Sequence, residues 1–544
     1  MRVIVLVALV FCLVVPAGAQ LLFVDRMEVE TRFSDNDFFL LKRPEGLLGF
    51  RTVAEKGFNA KMKFQYFLTD ENLKDKPIRE ISIKDGYDLS AFDVDGDMLY
   101  AVFMRGFGVG SDKYLLEIEL NKETAKEIPL NNLLPTDLVE FMVINRHAIF
   151  IGISETRPVV QIFDVQNQSI ITPQGLYYRD TKIMYVSKDE ELGVIDLLVS
   201  RRDRYKVKQV TLLTYDEEGN KLREVVLDKL DNPKYELVEG FLTPFQEYQQ
   251  SVLGTFGYRR REMYMGLYKA SINEFGEYKM DFYTVADLPN FYSFLKPKAF
   301  EKKTAEIERS VQKGKIPYIR PVVSTREIIP TDQGFLVYSD HFTANYPRNI
   351  RRDGVYANNA FNYGSNPGFP GPLLMPQMMG PQIFGASRQA GFDSNRGEYR
   401  YQSSHFAYIH EDGRVLWDMA LNLGNRISYT PGKFGEISFD GSRLHYLYID
   451  GVGIKMSYLR DGQKVFENLA FDLALLNEEE RIRETQEGSL QLQWWYGDYF
   501  LLSGKQKVRY LSESGREQVK DVFFVTKIKV DGELYKEELA VTVQ

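Results

Sequence analysis

The sequence is almost without cysteine. Its single cysteine, Cys12, lies inside an apolar run near the N-terminus, so the rest of the chain carries no thiol. This absence excludes a disulfide-stapled scaffold and a cysteine nucleophile, and it leaves the hydrophobic core to hold the fold together. A chain of 544 residues can bury a large core. An exported protein without cysteine is more typical of a bacterial envelope than of animal secretion.

Long hydrophobic runs are also scarce. The longest, from Val3 to Val15, follows a charged start and precedes the small residues Ala17-Gly18-Ala19. It is shorter than the roughly 20 apolar residues that span a bilayer. The pattern predicts a secretory signal peptide at 1–19. We therefore expect an exported protein of a Gram-negative bacterium, without a transmembrane segment, in the periplasm, at the outer membrane or secreted.

An excess of positive charge is absent as well. The net charge of −8 opposes a role as a nucleic-acid binder, because such proteins carry a basic balance. The chain has no G-x-S-x-G elbow, no P-loop and no H-E-x-x-H pair. Its histidines lack metal-site spacing, which favours ordinary packed or surface roles for His147, His341, His405, His410 and His445. No catalytic residue, metal site or cofactor is predicted.

A strand-turn-strand pattern recurs along most of the chain. A polar cluster of Asp, Asn and Gly opens directly into an apolar strand at 34–41, 93–100, 144–150, 331–338, 438–446 and 496–501. Self-similarity at a period of roughly 40 to 60 residues is typical of β-propeller blades. The alternation of apolar and polar residues predicts blades near 34–84, 91–131, 140–175, 183–230, 237–288, 327–422, 430–470 and 490–540. The predicted fold is an all-β propeller of seven or eight blades.

The ends and insertions of this propeller are also predicted. Residues 20–544 form a single domain, and the alternating segment 21–32 pairs into the last blade and closes the ring. A helical insertion at 291–318 braces neighbouring blades, with its helix ending at Gly314. A second insertion at 345–400, rich in Gly, Pro and Asn, is either a loop that contacts a partner or a flexible insertion. The arrangement resembles the secreted bacterial β-propellers, in architecture only.

Arginines follow the predicted blades. If the strands are phased as above, basic residues fall in the hairpins that join second to third strands, and equivalent hairpins emerge on one face of a propeller. The predicted binding residues in these hairpins are Arg105, Arg157, Arg201, Arg202, Arg204, Arg259, Arg260, Arg261, Arg351 and Arg352. In the final blade Lys505, Lys507 and Arg509 would extend the ring. Clustered arginines suit the capture of carboxylate or phosphate, although arginines in turns are often merely solvated.

A second candidate is aromatic. Trp494 and Trp495 form the densest ring cluster with their neighbours, and in a strand they face opposite ways, so one part is core while the other could stack on a sugar or a partner. The leading hypothesis is a non-enzymatic envelope or secreted protein that binds a macromolecule through one face. The partner would be an envelope protein, an anionic glycan or a lipid headgroup, which includes a membrane-peripheral complex. The alternative is a polysaccharide lyase or glycoside hydrolase with its site at the central channel.

Overall fold

The structure is a computed structural model that describes most of the chain from residue 20 to residue 532. The residues outside the description are 1–19, 56–60, 75–76, 107–109, 123, 156, 179–180, 203–206, 231, 247, 259–263, 320–321, 346–397, 429–431, 513 and 533–544. The described strands form eight antiparallel sheets. The chain is an eight-bladed β-propeller, which confirms the predicted fold and resolves the blade count.

The N-terminal strand is β1, Gln20–Glu30. Blade 1 comprises β2–β5, at Phe39–Arg43, Gly46–Ala54, Met62–Thr69 and Arg79–Ser82. Blade 2 comprises β6–β9, at Asp88–Asp95, Met98–Met104, Lys113–Glu119 and Thr124–Pro129. Blade 3 comprises β10–β13, at Asp137–Ile144, His147–Ser154, Arg157–Asp164 and Ile170–Ile171. Blade 4 comprises β14–β17, at Lys182–Asp189, Val194–Arg202, Lys208–Asp216 and Lys221–Leu227.

The later blades are less regular. Blade 5 comprises β18–β22, at Tyr235–Leu237, Phe241–Leu242, Gln249–Tyr258, Tyr264–Asn273 and Tyr278–Thr284. Helix α1 spans Pro297–Gln312. Blade 6 comprises β23–β26, at Val322–Thr331, Gly334–Asn345, Glu398–His410 and Val415–Ser428. Blade 7 comprises β27–β30, at Glu436–Phe439, Arg443–Asp450, Gly453–Arg460 and Gln463–Phe471. Blade 8 comprises β31–β34, at Arg481–Thr485, Gln491–Tyr496, Tyr499–Leu511 and Glu517–Asp531.

Blade 8 takes its outer strand from the start of the chain. Strand β1 pairs antiparallel with β34, from the Gln20–Asp531 pair to the Glu30–Val522 pair. The prediction that 21–32 pairs into the last blade is confirmed. The physical reason is that β34 would otherwise present a row of unpaired backbone N–H and C=O groups.

The chain divides into two compact units. The larger unit comprises Ser34–Phe434 and Asp461–Gln463 and contains blades 1 to 6. The smaller unit comprises Met1–Phe33, Gly435–Arg460 and Lys464–Gln544 and contains blade 8 and most of blade 7. In the larger unit the core lies between neighbouring blades. Between blades 1 and 2, for example, Phe50 packs edge-on against Phe92 with ring centroids 4.6 Å apart.

An irregularity recurs in the first strands of the larger unit. In blades 2, 3, 4 and 6 the register between first and second strands shifts by one residue, at Leu89/Ala91, Leu138/Glu140, Ile183/Tyr185 and Thr325/Glu327. In blade 5 the first strand is broken into β18 and β19, which both pair with β20. A bulge adds one unpaired residue and re-aims the side chains beside it. At three of these positions the result is a buried glutamate: Glu140, Glu239 or Glu327.

The predicted helical insertion is present between blades 5 and 6. Helix α1 begins at Pro297 and is followed by Gly314, whose φ of +66° is the left-handed conformation that ends many helices. None of its residues is buried. The bracing contact instead comes from Phe291, whose ring centroid lies 4.7 Å from that of the buried His405. The helix was predicted correctly, but the residues before it anchor the insertion.

The strand directions define two edges in each blade. Successive strands run in opposite directions, so the hairpin between second and third strands lies at the same end of the blade as the connection to the next blade. We call this end the connector edge, and the other end the opposite edge. The insertion with α1 lies at the connector edge, because it links β22 to β23. The predicted loop insertion links β24 to β25, and residues 346–397 of it lie outside the described residues.

Candidate functional site

The predicted arginines that the structure describes lie where the strand phasing placed them. Arg105 directly follows β7, Arg157 begins β12, and Arg201 and Arg202 end β15. All four are therefore at the connector edge of blades 2, 3 and 4. The other predicted arginines lie outside the described residues: Arg204, Arg259, Arg260, Arg261, Arg351 and Arg352.

Two of these arginines are stacked on exposed tyrosines. The guanidinium carbon of Arg157 lies 4.7 Å from the ring centroid of Tyr177, and that of Arg201 lies 5.0 Å from the ring centroid of Tyr178. Both tyrosines belong to the connection from blade 3 to blade 4, which reaches the same edge. Attraction between a cation and a ring face holds each pair in one arrangement. We call these four residues the Arg–Tyr cluster.

Hydrogen bonds and a buried leucine hold in place the segment that carries Tyr177 and Tyr178. The hydroxyl of Tyr215 donates to the carbonyl of Gln174 at 2.8 Å, and a guanidinium N–H of Arg201 donates to the carbonyl of Gly175. The next residue, Leu176, is 1% exposed. Burial raises the pKa of Tyr215 to about 12, so its hydroxyl keeps its proton and remains a donor at neutral pH. The segment from Gln174 to Tyr178 is therefore held in place, and we call it the platform.

The platform leaves apolar surface open to solvent. Tyr177 is 45% exposed and Tyr178 56% exposed, and Ile153 at the same edge of blade 3 is 43% exposed. The hydroxyl of Tyr177 approaches the carboxylate of Glu155 at 3.5 Å. Tyrosine and arginine beside exposed aliphatic surface are the composition of protein interfaces, where rigid aromatic side chains lose little entropy on binding.

The remaining arginines are less available. Arg202 pairs with Glu236 of blade 5 at 3.1 Å, so part of its charge is already neutralised. Arg105 is exposed. The final-blade extension of the ring was wrong in its phasing, because Lys505 and Lys507 lie within β33 rather than in a hairpin. Lys505 is fully buried and donates to the carbonyl of Phe33 at 3.3 Å.

The two tryptophans lie in the smaller unit. Trp495 is 5% exposed, so its ring belongs to the core. Trp494 packs against an apolar cluster of blades 7 and 8, and its indole N–H donates to the carbonyl of Gly497 at 2.9 Å. The structure therefore gives these rings a packing role.

Carboxylates on the first strands link neighbouring blades. Asp93 of blade 2 accepts from the backbone N–H of Val143 in blade 3 at 2.7 Å and from the ammonium of Lys188 in blade 4 at 2.9 Å. Lys188 also donates to the carbonyls of Val94 and Val143, at 3.2 and 3.0 Å. Its side chain is 3% exposed. This ion pair therefore ties three blades together from inside.

The buried glutamates complete this picture. Glu239 of blade 5 accepts from the hydroxyl of Ser324 in blade 6 at 3.2 Å, and Glu327 pairs with Lys433 at 2.5 Å. Burial raises the pKa of Glu140 well above its usual range, and the charge of Asp93 adds to this. These acids are enclosed in the protein, where Glu239 and Glu327 bond to neighbouring segments of the propeller. Sequence reasoning missed them, although Leu138-Val139-Glu140 and Leu237-Val238-Glu239 repeat the same three residues.

Three of the five histidines are packed inside the protein. His341, His405 and His445 are buried, and His405 Nε2 lies 3.0 Å from a carboxylate oxygen of Asp418. Across the described part of the chain, no group of three or more His, Cys, Asp and Glu is arranged to hold a metal ion. In the same described part, no helix combines the length and the apolar character needed to cross a membrane.

Comparison with known proteins gives no family. No protein-family model matches the chain, and no curated protein matches its sequence. Solved structures do match. An acylaminoacyl peptidase in complex with Z-Gly-Gly-Phe-chloromethyl ketone is 8% identical with a TM-score of 0.32, over 80% of this chain and 52% of the peptidase. This chain thus spans about half the length of that peptidase.

Two further structures match at similar levels. The β-propeller domain of the Trilobed protease from Pyrococcus furiosus is 8% identical with a TM-score of 0.33, over 80% of this chain and 96% of that domain. Polysaccharide lyase Uly1 is 8% identical with a TM-score of 0.32, over 94% of this chain and 100% of the lyase. Likenesses at these scores assign neither an activity nor a ligand to this chain.

Proposed function

We propose that this propeller is an exported, non-enzymatic protein that binds an acidic segment of an envelope protein through the Arg–Tyr cluster. The observation that carries the proposal is the pair of exposed tyrosines, each held by an arginine, on a platform anchored by Tyr215 and Leu176. The two guanidinium groups supply charge for carboxylates, and the rings with Ile153 supply apolar contact. Such a preformed surface lowers the entropy lost on binding.

The test is affinity capture from the cell envelope with the tagged protein at about 50 and about 500 mM NaCl. We expect a protein partner to be retained at low salt and largely released at high salt, because exposed charges are screened. A variant carrying Arg157→Ser and Arg201→Ser should lose at least about tenfold of the captured protein, since charged contacts at interfaces contribute on the order of 2 kcal/mol or more.

The matched control is Arg414→Ser. Arg414 lies in the hairpin between β25 and β26, at the opposite edge, and its side chain is 73% exposed and bonded to Asp412. This variant should capture the partner as the wild type does. Equal loss in both variants would contradict the proposal. Capture of material that resists protease and stains as carbohydrate, or that extracts as lipid, would replace the acidic protein with an anionic glycan or a lipid headgroup.

We propose the exported location separately, from the signal-peptide pattern at 1–19. Expression in a Gram-negative host should yield a protein whose first residue is Gln20, outside the cytoplasm. N-terminal sequencing of the purified protein measures this directly. An N-terminus that retains the apolar run, in the cytoplasmic fraction, would overturn the location.

A further inference from the structure

A cavity of about 620 Å³ lies in the larger unit, between blades 5 and 6. Its lining includes Ser251, Lys269, Asp332, Phe335 and Glu411. The hairpins between first and second strands of both blades reach it, so it lies at the opposite edge, away from the Arg–Tyr cluster. Its volume is within the range of small-molecule sites in proteins, about 300 to 1,000 Å³.

Both walls of the cavity are held by hydrogen bonds. On the blade 5 side, Gln246 and Gln249 exchange backbone hydrogen bonds of 2.9 and 2.8 Å. On the blade 6 side, the hydroxyl of Thr331 lies 2.7 Å from that of Tyr408 and donates to the carbonyl of Gly334 at 3.1 Å. The cavity is therefore formed before any ligand arrives, which favours binding because little ordering remains to be done.

One of the residues that line the cavity is a lysine that is almost completely covered. Lys269 is 2% exposed, and its ammonium donates to the backbone carbonyl of Glu411 at 2.5 Å and lies 5.3 Å from the centroid of Phe335. Among the described residues no carboxylate pairs directly with it. An ammonium has three N–H donors, so two are left for a ligand. Burial lowers the pKa of Lys269, and the carboxylates of Asp281, Glu411 and Asp412 offset this only in part.

A hydroxyl beside the lysine is also available. Ser251 is 6% exposed, and its backbone N–H is bonded to the hydroxyl of Thr243 at 2.9 Å. Ser251 also lines the cavity. Because Lys269 does too, the hydroxyl and the ammonium can both donate hydrogen bonds to a polar ligand that enters it.

The other lining residues restrict which class of ligand can bind in the cavity. Asp332 and Glu411 are exposed carboxylate residues at the cavity, and they accept hydrogen bonds from hydroxyl groups but repel multiply charged anions. Phe335 offers a flat apolar surface for the C–H face of a ring. A ring with several hydroxyls and one carboxylate fits these lining groups. The ammonium of Lys269 would meet the carboxylate, the two acidic side chains would accept from the hydroxyls, and Phe335 would pack on the ring.

We propose that this cavity, the Lys269 cavity, binds a sugar acid of one or two rings through its carboxylate and hydroxyls. The carboxylate lies on the ammonium of Lys269 and the hydroxyl of Ser251. This site is independent of the proposed protein partner, because it uses different residues at the opposite edge. A single negative charge is preferred over a phosphate.

The experiment is calorimetric titration of the full chain with D-glucuronate, D-glucose and D-glucose 6-phosphate at neutral pH. We expect D-glucuronate to bind at least about tenfold more tightly than the other two, since a charge-assisted hydrogen bond is about twice as strong as a neutral one. Lys269→Met should abolish this preference and leave any binding of D-glucose unchanged. Equal affinity of the wild type for all three probes, or binding of none, would overturn the proposal.

Matched variants separate binding from folding. Lys208→Met makes the same substitution at another lysine with an enclosed ammonium, outside the cavity, and should bind D-glucuronate as the wild type does. Ser251→Ala keeps the lysine and should weaken D-glucuronate by about fivefold, the loss of one hydrogen bond. If Ser251→Ala and Lys269→Met both bound D-glucuronate with unchanged affinity, the proposed site would be wrong. The Arg157→Ser and Arg201→Ser variant should bind D-glucuronate normally, so this proposal and the partner proposal fail independently.

Discussion

Two lysines of blade 4 have enclosed ammonium groups but opposite electrostatics. Lys188 on β14 lies 2.9 Å from the carboxylate of Asp93 and 2.7 Å from that of Glu190. Among the described residues, Lys208 on β16 donates to the carbonyls of Leu237 and Val238, at 2.6 and 3.1 Å. Burial lowers the pKa of both lysines. For Lys188 the two carboxylates more than offset it and raise the pKa, whereas the pKa of Lys208 falls to about 8.

The comparison shows what determines whether an enclosed lysine stays protonated. Carbonyl groups satisfy the N–H donors, but they do not replace the free energy of hydration that the ammonium loses. A carboxylate supplies a full opposite charge, and the pair stays ionised although both groups have left water. Lys188 therefore helps to link blades 2, 3 and 4. The protonated form of Lys208 is destabilised by burial, and loss of the proton would remove that free-energy cost.

The largest expected effect comes from breaking the ion pair. Lys188→Met should lower the free energy of unfolding by about 3 to 5 kcal/mol, because it leaves the carboxylate of Asp93 enclosed without its cation. Urea unfolding followed by circular dichroism at pH 7 measures this. Adding Asp93→Asn should recover part of the loss, since the amide oxygen can still accept the N–H of Val143. If Lys188→Met alone were as stable as the wild type, the ion pair would contribute nothing to the free energy of unfolding.

The next effect depends on pH and sharpens the contrast. Between pH 8 and 10.5, folded Lys208 has lost its proton while an unfolded lysine still holds one. Because the unfolded state then binds more protons, the free energy of unfolding contributed by this lysine rises with pH. The rise should be roughly 3 kcal/mol across the window from pH 8 to 10.5. Relative to Lys208→Met, the wild type should therefore gain stability as pH increases; a constant difference would contradict the lowered pKa.

The smallest effect is expected at an exposed pair. Arg414→Ser removes the 2.8 Å contact with Asp412, in which the two side chains are 73% and 46% exposed. Solvent screens such a charge, so the free energy of unfolding should change by at most about 1 kcal/mol. The same urea experiment measures it beside Lys188→Met. A loss as large as that of Lys188→Met would erase the distinction between enclosed and surface charges.

Much of the fold could be predicted from residue patterns. The repeated Asp, Asn and Gly turns mark the hairpins, because these residues adopt positive φ or bond their own backbone, as Gly96 does at φ +57° and Gly441 at φ +100°. Helix α1 was predicted from its spacing and its terminal glycine. The pairing of β1 was predicted from alternation alone. The register shifts in the first strands could not be predicted, because a bulge depends on the twist of the whole blade.

The candidate site was predicted only in part. The arginines at 157 and 201 were placed correctly at one edge, since hairpin position follows from strand order. Tyr177 and Tyr178 were missed, because nothing in a connection between blades shows which side chains stay exposed. The position predicted for Lys505 was wrong, because β33 is 13 residues long and the lysine lies within the strand rather than in the hairpin that follows it.

The sequence by itself determined the local structure of this protein: where strands, turns and one helix occur, and hence a repeat of seven or eight blades. These depend on backbone conformation and on periodicity over a few residues. The tertiary structure decided which charges are enclosed and what they meet. Lys188 reaches Asp93 across 95 residues of sequence, and Lys269 meets Glu411 across 142. Such pairs exist only once blades pack, because desolvation and Coulomb energy depend on distance in space and not on distance along the chain.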